Sequence, residues 1–371
     1  MLFMKRLIAI LSGLTLLLAL PGCGGQADSS ASESETPIVS EESTPAAESE
    51  ATEETASTEE TPEEPDTQEE GVDINVAVLA GPTGIGAVGL MESADNGETV
   101  NNYTFTVAAA NDDVVAGLTS GEFDIAAVAT NVAANLYNKT SGSVEICALN
   151  TYGVLYILEN GEEVQSISDL AGRTIYATGQ GANPEYVLEY LLTENGLSYS
   201  LDGSDADVAI EFMASDALVA GMASGEYDLC MLPVPAVTSV ELQNTDVRTA
   251  LDLTAEWEAS GAEGVLTMGC MVVRTEFAQE HPEAVASFLE EYAASISAVQ
   301  ADPAHAGELC ETYGIVAKAA VATKAIPDCN LCCIMGADIQ PAIQPYYQVL
   351  FDANPDAIGG ALPDEAFYFV P

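Results

Sequence analysis

Basic side chains are nearly missing from this chain. Its 371 residues hold 8 lysines and arginines against 59 acidic residues, a formal charge of −51 at neutral pH, with only 2 histidines. A nucleic-acid partner needs a basic footprint, so that class is excluded. Direct docking on anionic lipid is disfavoured for the same reason. The histidines, His281 and His305, are isolated, so no Ser-His-Asp or Cys-His arrangement and no histidine-based metal site can be built around them. No catalytic residue, metal or cofactor is expected. Long apolar runs are also absent: the longest, residues 7–20, is shorter than the ~18–20 residues that span a bilayer. The 8 cysteines show no disulfide framework. Cys147, Cys230, Cys270 and Cys310 sit singly among apolar neighbours and read as core, and Cys329, Cys332 and Cys333 read as part of a buried strand over 329–335.

What is present is organised in blocks. Residues 1–22 form an export signal, with Lys5 and Arg6 ahead of the apolar run. Leu20-Pro21-Gly22-Cys23 then resembles the lipobox of bacterial lipoproteins, in which the cysteine carries the lipid and becomes the mature N-terminus. From 23 to 72 the chain turns to Ser, Thr, Glu, Pro and Ala, with 16 acidic residues between Asp28 and Glu70 and no aromatic or basic residue. Such a segment buries too little apolar surface to offset chain entropy, and like charges extend it. It reads as a disordered tether.

The body contains a repeat. Val115-Ala116-Gly117-Leu118-Thr119-Ser120-Gly121-Glu122-Phe123-Asp124 returns as Val219-Ala220-Gly221-Met222-Ala223-Ser224-Gly225-Glu226-Tyr227-Asp228, at an offset of 219 − 115 = 104 residues. Each copy reads as a helix closed by a glycine cap, a turn and a short buried parallel strand. Each is preceded by a strand, a glycine-rich loop and a helix start: residues 81–86 after a strand over 72–80, and residues 178–185 after a strand ending near Tyr176. Neither loop has the Lys-Ser/Thr of a P-loop or the full dinucleotide fingerprint. Two similar α/β lobes are therefore expected: lobe one from 73–160 and 268–371, lobe two from 161–267, with strands crossing between them just beyond Leu158 and over 265–274.

Open α/β sheets bind ligands beyond the C-terminal ends of their strands. The candidate ligand-binding residues are accordingly Thr83, Gly84, Ile85, Gly86 and Asn131 in lobe one, and Thr178, Gly179, Gln180, Gly181, Asn183 and Pro233 in lobe two. Tyr152, near the first crossing, reads equally well as a stacking platform or as core. The N–H groups of residues 84–86 and 179–181 form two backbone cradles, in loops taken to lie outside the cores. Asn183 reads as the cap of the helix after it.

In this order, the lipobox, acidic tether, paired Ser-Gly-Glu-aromatic-Asp units, two glycine-rich loops and Leu232-Pro233-Val234-Pro235 resemble the solute-binding lipoproteins of ABC importers, in the nitrate, sulfonate and thiamine-precursor class. The resemblance implies an α/β, two-lobed type II periplasmic-binding-protein fold, each lobe a mostly parallel sheet flanked by helices, with two crossing strands as hinge. It implies a small-molecule ligand, a permease with its ATPase as partners, a monomer, and a place on the outer face of the cytoplasmic membrane held by the lipid on Cys23. Relatives often carry an acidic residue where this chain has Val234. A sensor or adhesion lipoprotein, and an enzyme like the thiamine pyrimidine synthases, share the fold and stay open as alternatives.

Overall fold

The structure is a computed structural model that describes residues 71–371; residues 1–22, Cys23 and nearly all of the tether lie outside the described residues. The chain runs through β1 (Asp73–Leu79), β2 (Asn102–Ala108), β3 (Ile125–Ala129), β4 (Val144–Tyr152), β5 (Leu155–Glu159), β6 (Thr174–Ala177), β7 (Tyr199–Ser200), β8 (Val208–Phe212), β9 (Leu229–Pro233), β10 (Arg248–Asp252), β11 (Thr267–Arg274) and β12 (Leu331–Met335). These strands make two six-stranded sheets, ordered β12-β4-β11-β3-β1-β2 and β10-β5-β9-β6-β8-β7.

The sheets have matching plans. In the first, β2, β1 and β3 are parallel, with Asp73 opposite Asn102 and Val76 opposite Ile125, and β11 then runs antiparallel to β3. In the second, β7, β8, β6 and β9 are parallel, and β5 runs antiparallel to β9 with Leu155 opposite Pro233. Each lobe thus receives one reversed strand beside the last of its parallel strands. Because β5 belongs to the second sheet, the first crossing falls at Gly153-Val154 and not beyond Leu158 as the sequence suggested. A strand pairing cannot be read from an apolar run alone, since both sheets bury such runs equally.

The repeat has the same geometry in both lobes. Gly121 and Gly225 close the helices Asn111–Ser120 and Ser215–Ser224 in the left-handed conformation, φ 77° and 74°, which glycine adopts without a Cβ clash. One turn earlier, a Cβ on Gly117 or Gly221 would lie 2.2 Å from the ring of Phe123 or Tyr227. Each aromatic of the turn therefore folds back onto a glycine of its own helix, and the helix–turn–strand unit is fixed within a dozen residues. The apolar cores lie on both faces of the two sheets, with Trp257, Phe288, Tyr292, Tyr346 and Tyr347 among the buried side chains.

The cysteine-rich segment is a shorter strand than expected: β12 begins at Leu331, Cys329 lies buried in the turn before it, and Cys332 and Cys333 are half-buried. All 7 cysteines of the described residues are free thiols. No helix among the described residues is long and apolar enough to cross a membrane.

Candidate functional site

The lobes meet where two helices begin. Thr130–Thr140 follows β3 in lobe one, and Asn183–Glu194 follows the second glycine-rich loop in lobe two. Asn183 does not cap its helix: Ala182 holds the cap position, with no side-chain cap bond. Its amide reaches across instead. Nδ2 donates to Thr130 Oγ1 at 2.8 Å and to the Met268 carbonyl at 2.7 Å, while Oδ1 accepts from the Asn131 N–H at 3.3 Å and from the Tyr346 hydroxyl at 2.9 Å. Asn131 answers from lobe one, its Nδ2 donating to the carbonyls of Gly181 and Ala357, both at 3.3 Å. Asn183, Asn131 and Thr130 are almost wholly shielded from solvent. The Asn131 Oδ1, buried in this junction, has no hydrogen-bond partner, and buried polar atoms are rarely left so.

Three of the expected residues, Asn131, Gly181 and Asn183, are thus brought together. The lobe-one cradle is not free. Gly84, Ile85 and Gly86 are buried, the Gly84 N–H donates to the Gly81 carbonyl at 3.1 Å, and the Gly86 N–H turns back to the Gly84 carbonyl. A Cβ on Gly84 would sit 2.1 Å from the Leu79 carbonyl oxygen, so this loop is built into the core and not outside it. Thr83 is half-buried; its carbonyl accepts from Asn150 Nδ2, which also meets the Tyr292 hydroxyl. Thr83 and Asn150 close over Gly269 of β11, where a Cβ would lie 2.4 Å from Thr83 Cγ2 and 2.6 Å from Asn150 Oδ1.

In lobe two the Gly181 N–H is taken by the carboxylate of Glu185, one helical turn on. A buried acidic side chain therefore occupies the place that an anionic ligand was expected to fill. Thr178, Gly179 and Pro233 are half-buried beside it, and Gln180 is exposed. Tyr152 goes elsewhere: with Gln300, Pro303, Ile326, Pro327, Asn330 and Leu331 it lines a cavity of about 370 Å³, which none of the other candidate residues lines. Thr130, Asn150, Gly269 and Tyr346 were not singled out from the sequence. Only Thr130, beside Asn131 at a strand end, carried a usable signal there.

Among the described residues, no cation serves this junction. Arg248 and Arg173 both pair with the buried Glu159, at 2.7 and 3.6 Å, and Arg274 pairs with Asp124 at 2.8 Å. Lys139, Lys318 and Lys324 are exposed. Acids accumulate on the Asn183–Glu194 helix instead. Burial, then the neighbouring Glu185 charge, pushes the Glu189 carboxyl up to about 7. A carboxyl whose pKa is raised by folding holds its proton better in the native state, so its contribution to stability is complete below the unfolded value and is lost as pH rises through the folded one. We expect the melting temperature to fall between about pH 4.5 and 7, and Glu189→Gln to flatten that fall. Glu145, raised by burial, and His305, raised by its bond to Glu92, act in the same direction and leave a smaller slope. An unchanged slope in the variant would contradict this account.

Residues 145–306, from β4 through β11 and beyond, match the family model described as NMT1/THI5 like. Among solved structures, an ABC transporter protein from Parabacteroides distasonis is similar at 21% identity over 80% of this chain and 98% of its own, with a TM-score of 0.65. The periplasmic aliphatic sulphonate binding protein SsuA of Escherichia coli is similar at 13% identity over 81% and 92%, with a TM-score of 0.63. The alkanesulfonate-binding protein SsuA of Xanthomonas axonopodis pv. citri, bound to MOPS, is similar at 14% over 80% and 96%, with a TM-score of 0.59. A search of curated proteins gave no match. The chain has the α/β type II periplasmic-binding-protein fold, two mixed sheets flanked by helices.

Proposed function

We propose that this chain is the lipid-anchored solute-binding component of an ABC importer, closing on a small polar organic solute between its lobes and passing it to a permease. The observation that carries the reading is the junction of Asn131 and Asn183: helix starts of the two lobes held together by buried hydrogen bonds around an acceptor, Asn131 Oδ1, that lacks a donor. A binding protein of this fold works by such closure. The pairing of all three body arginines with Glu159 and Asp124, and the carboxylate of Glu185 at the Gly181 amide, favour a neutral or donor-bearing solute over the sulphonates for which the two similar SsuA proteins are named. The exposure of Lys139, Lys318 and Lys324 speaks against a lysine-bound cofactor and for a non-enzymatic role. Cys23 is the anchor residue in this reading, and residues 24–72 hold the monomeric body off the outer face of the cytoplasmic membrane.

A thermal-shift screen of the full chain over neutral, amine-bearing and anionic small solutes tests this, because a ligand bound only by the folded form raises stability by mass action. The expected result is a hit among neutral or amine-bearing compounds that also narrows the radius of gyration in solution scattering. A melting temperature that no compound moves, or hits confined to sulfonates, would count against it. Diacylglycerol mass on Cys23 in membrane-extracted protein checks the anchor.

A further inference from the structure

A second cavity lies further along the Asn183–Glu194 helix from the junction, and its chemistry differs. It measures about 560 Å³ and is walled by Tyr186, Glu189 and Tyr190 from that helix, by Tyr199 of β7, and by an apolar stretch of the Ile339–Ala353 helix, with Glu194 and Asp352 at its rim. Glu189 is 9% exposed, so its carboxyl sits inside and not on the surface. No lysine, arginine or histidine is among the lining residues.

Three tyrosine rings around a buried carboxyl attract one kind of ligand. The face of an aromatic ring carries negative potential and holds a weakly hydrated cation within about 6 Å. A neighbouring carboxylate adds charge attraction that a low-dielectric site strengthens. An anion would meet the carboxyl groups of Glu189, Glu194 and Asp352 and no basic side chain. A metal ion would need a compact set of donors, and among the described residues no group of 3 or more His, Cys, Asp or Glu is placed to hold one.

We propose that this cavity binds a small organic cation, a quaternary ammonium or a substituted amine, with Tyr186, Tyr190 and Tyr199 forming the cage and Glu189 supplying the counter-charge. The proposal does not depend on the solute reading of the junction. The two walls come from different lobes, since the Asn183–Glu194 helix belongs to lobe two and the Ile339–Ala353 helix packs with lobe one. A cation touching both favours the closed arrangement, by the difference in its affinity for the two states. Burial and Glu185, which hold Glu189 partly protonated near neutral pH, are both offset by a bound positive charge.

The probe is tetramethylammonium, titrated calorimetrically into the full chain at constant ionic strength, with tert-butanol as the neutral compound of similar shape and glucose as a polyol. Saturable binding of tetramethylammonium alone is expected, weakened at least tenfold in both Glu189→Gln and Tyr186→Leu, with each variant's melt confirming that it folds. Absence of saturable binding, affinity unchanged in both variants, or equal binding of tert-butanol or glucose would overturn the assignment. An amine-bearing compound whose thermal shift survives Glu189→Gln belongs to the junction and one whose shift is lost belongs here, so failure here leaves the junction reading standing, and failure there leaves this one standing.

Discussion

Asn183→Ala should lower the melting temperature by several degrees and enlarge the molecule in solution. The side chain makes four buried hydrogen bonds, all to residues of the other lobe's side of the junction: Thr130, Asn131, Met268 and Tyr346. A typical buried hydrogen bond contributes about 1 kcal/mol net, and a partner left unsatisfied costs about 1–3 kcal/mol. Alanine strands the Asn131 N–H, the Met268 carbonyl and the Tyr346 hydroxyl in a site closed to water, although Thr130 Oγ1 keeps its bond to the Thr267 carbonyl at 2.6 Å. The loss of closed-state stability should therefore be about 3 kcal/mol, or roughly 6–12 °C for a body of this size. Opening the junction exposes its polar groups to water and relieves part of this cost, so the lobes should part before they unfold. A larger radius of gyration with native circular dichroism would show this. A melt and a radius both indistinguishable from the parent would mean that the four bonds do not hold the lobes together.

The second large effect separates the two glycine-rich loops, which the sequence presents as equivalents. Gly84→Val should damage folding. Its Cβ would lie 2.1 Å from the Leu79 backbone oxygen and 3.2 Å from Ile315 Cδ1. A backbone oxygen cannot swing aside as a side-chain tip can, and overpacking of this kind costs about 1–3 kcal/mol or more before the extra valine methyls are placed. Gly181→Val is different. A Cβ there meets no atom within 4 Å, and the penalty is conformational, since φ is +76°. That strain is about 1–2 kcal/mol. The displaced backbone also carries the Gly181 carbonyl that Asn131 Nδ2 contacts. We expect Gly84→Val to be recovered at low yield or with a melt depressed by 10 °C or more, roughly 3 kcal/mol. Gly181→Val should fold with a smaller depression and lose solute affinity instead. Equal melts for the two variants would refute the distinction.

The sequence by itself determined the features whose contacts close within a few residues. The paired helix–turn–strand units are of this kind. Gly117 under Phe123 and Gly221 under Tyr227, with the left-handed caps at Gly121 and Gly225, are settled by neighbours in the chain, and the same residues in the same order make the same shape twice. Composition likewise excluded a basic surface anywhere on the body. The tertiary structure alone decided which strand joins which sheet, placing β5 in lobe two through its pairing with β9. It also decided that the first glycine loop is not free, because the core that engulfs Gly84 includes Ile315, more than 200 residues away, whereas the Gly181 N–H is taken locally by Glu185, four residues on. Asn183 shows the reason most clearly. As an isolated word after a glycine-rich loop it spells a helix cap, but its partners lie 52, 53, 85 and 163 residues distant. An asparagine amide bonds equally well to its own helix or to another lobe. Only the packing of the two helix starts against each other selects between them.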